Sequence, residues 1–195
     1  MGKIFYIMGK SSCGKDTIYK KLLSLDKCNL KRIVPYTTRP IRDKEQNGVD
    51  YYFIDDAKLE EYRGKGLIIE LREYNTVHGI WKYLTVDDGN TDLKENDYIT
   101  IGTPESYEKM VNYYGTKNIV PILITVDDGV RLERALKRER AQEKPKYAEM
   151  CRRFLADEAD FSKDILDKLG IDNVFANDDL DECVGEIENF ILSHR

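Results

Sequence analysis

The stretch "IFYIMGKSSCGKDTIYKKLL", residues 4–23, decides the fold. It begins with an apolar run whose β-branched and aromatic residues are typical of a strand buried on both faces. A segment of small residues follows. Ile18, Leu22 and Leu25 then recur at helical spacing, which predicts a helix from Lys15 to about Leu25. The predicted order is therefore a buried strand, a glycine-containing loop and a helix.

The loop "GKSSCGKDT" (9–17) has the spacing of a phosphate-binding loop, G-x-x-x-x-G-K-[ST], apart from its last position. A loop of small residues that opens a helix directs successive backbone N–H groups toward one point, where the helix N-terminus also attracts anions. Gly9 and Gly14 permit the tight turn, and Lys15 can reach the outer phosphates. We therefore predict a phosphate site formed by Gly9, Lys10, Ser11, Ser12, Cys13, Gly14, Lys15, Asp16 and Thr17.

Asp16 stands where this loop normally carries a serine or threonine whose hydroxyl helps to hold magnesium. An acid in the first helical turn is favoured by the helix dipole, by about 0.3–1 kcal/mol, without any further role. Its carboxylate can also take the magnesium, because hard cations accept carboxylate oxygen readily. Thr17 offers a hydroxyl one position later, so both residues are candidate metal ligands.

The composition indicates one domain of ordinary globular type. The 195 residues carry a net charge of −5, which gives no global attraction to nucleic acid. The four cysteines lie far apart and form no C-x-x-C pair, which suits a reducing cytoplasm better than a disulfide framework. The first apolar run is too short for a signal or membrane segment, so we expect a cytoplasmic protein without a membrane partner.

Strands and helices alternate along much of the chain. Apolar runs predict further strands at 98–101, 119–126 and 173–177. Helical periodicity predicts helices at 104–114, 129–140, about 147–169 and 180–192. This alternation predicts an α/β fold with a parallel sheet flanked by helices on both faces.

Two segments interrupt the alternation. Residues 35–88 are rich in aromatics and short β-like pieces, which predicts a small inserted lobe. Residues 137–147 form a dense charge run that ends in a Lys-Pro break. A solvated helix face is one interpretation of that run, and a mobile lid that carries arginines is the other.

The segment "YTTRPIRDKEQNGVDYYF" (36–53), taken with the loop, resembles the guanylate kinase family, which carries S-x-T-T-R-x-P-R-x-x-E-x-x-G-x-D-Y-x-F there. The tail "NDDLDECVGEIENFI" (177–191) is similar to that family's last strand and helix. The resemblance implies a P-loop kinase fold in a single domain, 1–195. Its parts would be a core (1–34, 89–136 and 155–195), an acceptor-binding lobe (35–88) and a lid (137–154).

The implied chemistry is transfer of the γ-phosphate of ATP, with Mg²⁺, to GMP. Phosphoryl transfer needs positioning and positive charge, which guanidinium groups supply. On the donor side the resemblance implies the loop residues and Asn177. On the acceptor side it implies Thr37, Arg39, Arg42, Tyr51, Glu70, whose carboxylate would read guanine, and His78. The implied catalytic residues are Lys15, Arg39, Arg42 and the lid arginines Arg138, Arg140 and Arg153.

The chain departs from the family at several guanine-site positions. These are Pro35 for a serine, Gly79 and Ile80 after His78 for Gly-Ser/Thr, and Thr100 and Gly102 for the acids of D-x-D. A missing polar contact weakens specificity, because a buried polar site rejects ligands that leave it unpaired. The departures therefore bear on which acceptor is used rather than on the kinase chemistry.

Two other functions stay open. The chain also resembles ribose bisphosphate phosphokinases, in Gly-Lys-Asp at the loop and in the Thr-Arg-Pro (38–40) that follows it. A guanylate-kinase-like binding module without catalysis is the third hypothesis, although such modules lack a working loop lysine. We expect nucleotides as the partners, no nucleic acid, and a monomer or homodimer.

Overall fold

The structure is a computed structural model that describes residues 1–43, 45–76 and 79–195. Its strands are β1 (Ile4–Met8), β2 (Lys31–Arg32), β3 (Tyr36–Thr37), β4 (Tyr52–Phe53), β5 (Ile68–Thr76), β6 (Gly79–Val86), β7 (Tyr98–Ile101), β8 (Ile119–Thr125) and β9 (Val174–Ala176). Its helices are α1 (Lys15–Leu23), α2 (Asp56–Gly64), α3 (Pro104–Tyr114), α4 (Asp128–Arg140), α5 (Tyr147–Asp160), α6 (Lys163–Lys168) and α7 (Leu180–Ser193).

The first sheet is parallel throughout, with strand order β2-β7-β1-β8-β9. Every residue of its central strand β1 is buried, which is why this strand is a continuous apolar run in the sequence. Phe5 and Ile7 pack on one face with α1 and α7, whereas Ile4, Tyr6 and Met8 pack on the other face with α3. The predicted α/β fold, a parallel sheet between two helical layers, is confirmed.

The second sheet has four strands in the order β4-β3-β6-β5 and lies within residues 36–86. β5 and β6 form a long antiparallel hairpin, and its own small core contains Tyr36, Leu59, Leu84 and Val86. This sheet falls inside the segment predicted as an inserted lobe. The division into core, acceptor lobe and lid is a functional one and stays a prediction.

The predicted helix from 147 to 169 is wrong as one continuous element. The chain leaves the helical conformation after α5, and Phe161 turns inward and packs in the same core as Ile171. Ser162 is extended, with φ −62° and ψ 150°, and α6 begins after it. Burial of one aromatic ring therefore outweighs the helical periodicity that continues through this segment.

The carboxyl ends of the parallel strands position the candidate site. β1 leads into the loop, β8 leads toward α4, and β9 ends next to Asn177, all at one edge of the sheet. In open α/β sheets ligands bind outside this edge. Among the helices of the described residues, none is both long and apolar enough to cross a membrane.

Candidate active site

The backbone of the loop is held from behind by Asn177. The Asn177 side chain is 4% exposed, and its Nδ2 donates to the carbonyl oxygen of Cys13 at 2.7 Å. Gly14, the residue that caps α1, has φ 94°, and a Cβ atom there would lie 2.2 Å from Asn177 Nδ2. Only glycine fits this position. Asn177 therefore shapes the predicted phosphate loop through its backbone.

A shallow cavity of about 170 Å³ lies beside the loop. Its walls are Ser12, Gly14, Asp16, Thr17, Arg134 and Arg138. Ser12 adopts a left-handed conformation, with φ 66°, and its buried Oγ has no hydrogen-bond partner among the described residues. Loop hydroxyls, a helix N-terminus and two guanidinium groups thus surround one space, which is the environment an anion requires.

The lid arginines of the sequence prediction do not share one location. Arg138 lines the cavity beside the loop together with Arg134, four residues earlier on α4. Arg140 lies instead in a second depression, with Glu133, Leu136 and Lys137. Arg153 is exposed on α5 and lines neither depression. The structure therefore brings Arg138 to the loop and leaves the other two apart from it.

A carboxylate pair on α5 contacts the beginning of the loop. Asp157 accepts from the backbone N–H of Ser11 at 2.7 Å, and Glu158 accepts from Lys10 Nζ at 2.6 Å. Arg131, whose side chain is 1% exposed, joins them: its Nη2 lies 3.0 Å from Asp157, and its Nε donates to the Ser11 carbonyl oxygen at 3.1 Å. This network ties the loop to both α4 and α5.

Both candidate metal ligands border the loop cavity. Asp16 and Thr17 are exposed and lie on the first turn of α1. In the part of the chain that the structure describes, no group of three or more His, Cys, Asp or Glu side chains is arranged to hold a metal ion. Protein-bound Mg²⁺ is commonly held by one or two carboxylate or hydroxyl oxygens together with substrate phosphates and water. The oxygens of Asp16 and Thr17 fit that chemistry.

Arg39 is the most buried cation of the second sheet, at 3% exposed. Its two terminal nitrogens donate to the Glu45 carboxylate at 2.8 and 2.6 Å, while its buried Nε has no partner among the described residues. Burial alone lowers the pKa of Arg39, but the hydrogen bonds and charge of Glu45, together with Tyr83, raise the pKa overall. Glu45 thus holds this guanidinium, charged, in one orientation.

Tyr51 packs between the acceptor residues. The guanidinium carbon of Arg39 lies 5.0 Å from the centre of the Tyr51 ring, and the rings of Tyr51 and Tyr83 meet edge-on at 5.8 Å. Burial raises the pKa of the Tyr51 phenol, and the charges that act on it include Arg39, Arg72 and Asp16 of the loop. Tyr51 therefore packs against Arg39 and Tyr83 in the predicted acceptor site.

Thr37 and Arg42 are placed differently around Arg39 and Glu45, since Thr37 is buried and Arg42 is exposed. Thr37 is fully buried, and its hydroxyl donates to the Lys82 carbonyl oxygen at 2.8 Å and accepts from the backbone N–H of Arg39 at 3.2 Å. It therefore holds Arg39 in place through the backbone. Arg42 is exposed, its backbone N–H donates to Glu45 at 2.9 Å, and its guanidinium stands 5.9 Å from the Trp81 ring. Its guanidinium is available to an incoming anion.

Glu70 lies opposite Thr85 in the β5–β6 hairpin, and its side chain is 1% exposed. Oε1 accepts from the Thr85 hydroxyl at 2.9 Å and from Arg72 Nη2 at 3.2 Å, and Oε2 accepts from Arg72 Nε at 2.9 Å. The carboxylate is therefore covered by its own strand neighbour. The guanine contact predicted for Glu70 stays a prediction, and His78, the other base-site residue, lies outside the described residues.

The space next to Gly102 is filled from the core. A Cβ atom at Gly102 would lie 2.0 Å from Tyr6 Oη and 2.7 Å from Ser106 Oγ, which are hydrogen-bonded to each other at 2.5 Å. Burial raises the pKa of the Tyr6 phenol, so this phenol stays protonated. A neutral hydroxyl pair therefore occupies the place of the acid that the related family carries.

Comparisons with known proteins find similarity to guanylate kinases. The family model described as guanylate kinase matches residues 1–82. A guanylate kinase of Cupriavidus metallidurans is 28% identical over 201 residues, which cover 100% of this chain and 84% of that protein. One of Nitrosomonas europaea is 39% identical over 79 residues, which cover 40% of this chain and 37% of that protein. The chain is therefore similar to guanylate kinases over its whole length.

Structural comparison finds the same fold in a solved guanylate kinase. The crystal structure of guanylate kinase from Anaplasma phagocytophilum superposes with a TM-score of 0.69 at 21% identity, covering 98% of this chain and 85% of that one. At this identity the likeness shows the fold. The family resemblance predicted from the loop and the "YTTRP" segment (36–40) is confirmed.

Sequence reasoning missed several residues of this candidate site. They are Glu45, Arg72, Tyr83, Thr85, Arg131 and Arg134. The spacing of Arg134 and Arg138, four apart on a helix, was a usable signal for a shared face. Tyr83 and Thr85 alternate along β6 as residues of one face do. Their pairing with β5 carried no such signal, because register across a hairpin depends on the turn between the strands.

Proposed function

We propose that the protein transfers the γ-phosphate of ATP to a nucleoside monophosphate, with GMP or dGMP as the preferred acceptor, by direct in-line displacement. One observation carries the proposal: the loop and two further guanidinium groups surround a single cavity, and a separate guanidinium, Arg39, is held charged by Glu45 against the Tyr51 ring. Donor phosphates on the loop and an acceptor phosphate beside Arg39 and Tyr51 would supply the two ends of the transfer.

The donor side uses backbone and charge. In this proposal the loop N–H groups and the N-terminus of α1 hold the ATP phosphates, and Lys15 reaches the outer ones. Arg134 and Arg138 stand across the cavity from the loop and stabilise the charge on the group in transfer. Mg²⁺ that arrives with ATP neutralises charge on the β- and γ-phosphates, and Asp16 or Thr17 would give it a protein oxygen.

The acceptor side uses side chains. Arg39 carries a positive charge that Glu45 orients, and Arg42 adds an exposed guanidinium beside it. Guanidinium groups bind phosphate oxygens with two parallel hydrogen bonds, which fixes direction as well as position. Holding the acceptor oxygen in line with the γ-phosphate is the main task of such a protein, since phosphoryl transfer needs little covalent chemistry.

Residues 35–88 and 137–154 serve as acceptor lobe and lid in this proposal. Closure of the second segment over the ATP phosphates would exclude water, which limits wasteful hydrolysis. Arg140 and Arg153, which lie apart from the loop cavity, would approach the phosphates only through such closure. Protease cleavage between Lys144 and Tyr147 that slows when ATP and acceptor are both bound would support the lid.

The test of the proposed function is an acceptor panel. The purified chain is incubated with Mg-ATP and with GMP, dGMP, AMP or a ribose bisphosphate, and ADP formation is measured. We expect GMP and dGMP to give the highest kcat/KM. Phosphorylation of the ribose bisphosphate alone would replace the proposal with a phosphokinase of sugar phosphates. ATP binding with no acceptor phosphorylated would favour a binding module.

A further inference from the structure

The Glu70 carboxylate has little capacity left for a ligand. A carboxylate offers about four lone-pair positions, and three of them accept hydrogen bonds from Thr85 and Arg72. Glu70 is also the more deeply buried partner, with 1% of its side chain exposed against 14% for Arg72. A base that enters this part of the cleft therefore meets Arg72 before it meets Glu70.

Arg72 keeps free donors on its outer side. A guanidinium has five N–H groups, of which one on Nε and one on Nη2 are bonded to Glu70. Among the described residues no other hydrogen bond to Arg72 is present, so Nη1 and the second Nη2 hydrogen remain available. Burial alone lowers the pKa of Arg72, but the charge and hydrogen bonds of Glu70, together with Tyr6 and Tyr74, raise the pKa overall, which keeps the guanidinium charged.

The surroundings of Arg72 match the shape of a nucleotide site. Tyr74, two residues further along β5, packs edge-on against Tyr83 at 5.6 Å, and Tyr83 packs against Tyr51. The guanidinium carbon of Arg39 lies 5.0 Å from the centre of the Tyr51 ring. Arg72 is paired with Tyr83 across the hairpin, so the rings of Tyr83 and Tyr51 link the position of Arg72 to Arg39.

A guanidinium recognises acceptor atoms, and purines differ in where they carry them. Guanine and hypoxanthine both present O6 and N7 side by side, which pair with two guanidinium N–H groups. Adenine presents an amino group in place of O6, so donors would face donors. The 2-amino group, by which guanine differs from hypoxanthine, requires an acceptor atom of the protein.

The carboxylates that would read a 2-amino group are absent or largely occupied in the described residues around Arg72. Glu70 is taken up by Arg72 and Thr85, and position 102 is a glycine whose side-chain space contains the hydroxyls of Tyr6 and Ser106. Thr100 of β7 stands where the D-x-D sequence of the related family has its first acid, so a carboxylate is missing at this position as well.

We propose that Arg72 is the base-reading residue and that the acceptors are 6-oxopurine nucleoside monophosphates as a class, with GMP and IMP used about equally well. The proposal rests on the proposed kinase function and names the substrate class of its acceptor site. Arg72 reads O6 and N7, Glu70 and Thr85 hold Arg72 in place, and the 2-amino group is not read.

The decisive measurement needs no variant. Steady-state kcat/KM is determined for GMP, IMP and AMP with saturating Mg-ATP. A hydrogen bond to a charged group changes specificity by about ten- to a hundredfold, so an unread 2-amino group gives a GMP-to-IMP ratio below about ten. AMP is expected to be at least about tenfold poorer than both.

The outcomes separate the two proposals. If GMP is phosphorylated but IMP is about tenfold poorer or more, the class inference is overturned while the kinase function stands. If AMP equals GMP, Arg72 does not read O6 and the inference is likewise overturned. If no nucleoside monophosphate is phosphorylated, the proposed function is overturned together with it.

Substitution of Arg72 tests the residue itself. Arg72→Lys keeps the positive charge beside Glu70 but removes the planar fork, so the protein stays folded while the two-bond contact is lost. We expect kcat/KM for GMP and for IMP to fall together, about tenfold, with an unchanged KM for ATP. Arg63→Lys, an exposed arginine of α2, is the matched control and should change none of these values. A fall for GMP alone would show that another residue reads the 2-amino group, and would overturn the assignment.

Discussion

The two halves of the candidate site are built in different ways. On the donor side, six consecutive residues between β1 and α1 and the first three residues of α1 form the candidate site, and in the proposal their backbone does most of the binding. On the acceptor side, Arg39, Tyr51, Arg72 and Tyr83 come from separate stretches and meet only when the second sheet forms. The donor site is therefore robust to most side-chain changes, whereas the acceptor site can change its ligand through one substitution.

The loop lysine gives the largest effect expected on the donor side. Lys15→Ala should lower kcat by about 10²–10³-fold or more, because the lysine stabilises charge on the outer phosphates. Circular dichroism should show an unchanged fold. Lys20→Ala, an exposed lysine on the same helix, is the control with unchanged kcat. Near-normal turnover of the Lys15 variant would contradict the prediction. It would mean that the loop binds phosphate without contributing to catalysis, and the proposed donor role of this half of the site would be wrong.

The acceptor side should respond next most strongly, through Arg39. Arg39→Lys keeps the charge but replaces a planar fork by an ammonium group, so we expect kcat/KM for the acceptor to fall about ten- to a hundredfold. The KM for ATP should not change, since the loop lies on the other side. Arg63→Lys serves again as the exposed control. An equal rise in the KM for ATP would show that the two halves are not independent.

A smaller effect concerns Asp16. If the Asp16 carboxylate binds the metal, Asp16→Ala should raise the Mg²⁺ concentration needed for half-maximal rate several-fold. Asp16→Ser keeps an oxygen ligand and should raise that concentration less. Asp26→Ala removes an exposed acid just beyond α1 and should leave the Mg²⁺ titration unchanged. If Asp16→Ala also leaves it unchanged, Asp16 is a helix-end acid worth about 0.3–1 kcal/mol, and Thr17 becomes the candidate ligand.

The smallest effect expected is on stability and comes from Glu45. The hydrogen bonds from Arg39 hold the pKa of Glu45 below its usual value of 4.5. A lowered pKa means that the ionised carboxylate stabilises the folded state above about pH 4.5, and that this stability is lost as the pH falls through the lower folded pKa.

Glu45→Gln should therefore cost about 1–3 kcal/mol in the free energy of unfolding at pH 7, and clearly less near pH 3. Urea denaturation of the wild-type protein and of the variant at pH 7 and at pH 3 measures the change in the free energy of unfolding at each pH. Glu60→Gln breaks an exposed pair with Arg63 and should cost little at either pH. A cost for Glu45→Gln that does not depend on pH would mean that shape rather than charge holds Arg39.

Local patterns predicted the core elements well. The strand at 98–101 and the helix at 104–114 were predicted with the bounds the structure has, because a short apolar run and a proline start signal are local features. The helix from 147 to 169 was predicted wrongly as one element, since the burial of Phe161 depends on a core built from distant residues.

The sequence by itself determined the parallel α/β core and predicted the phosphate loop, because both depend on neighbouring residues whose backbone preferences suffice. Only the tertiary structure decided which side chains lie together in the candidate acceptor site. Glu70 and Arg72 are two apart on one strand and therefore point to the same face, but only packing buries one beneath the other. Likewise, Tyr6 fills the space at Gly102 although 96 residues separate them in the chain. Contacts of this kind depend on strand register and burial, and these are fixed when the whole fold closes.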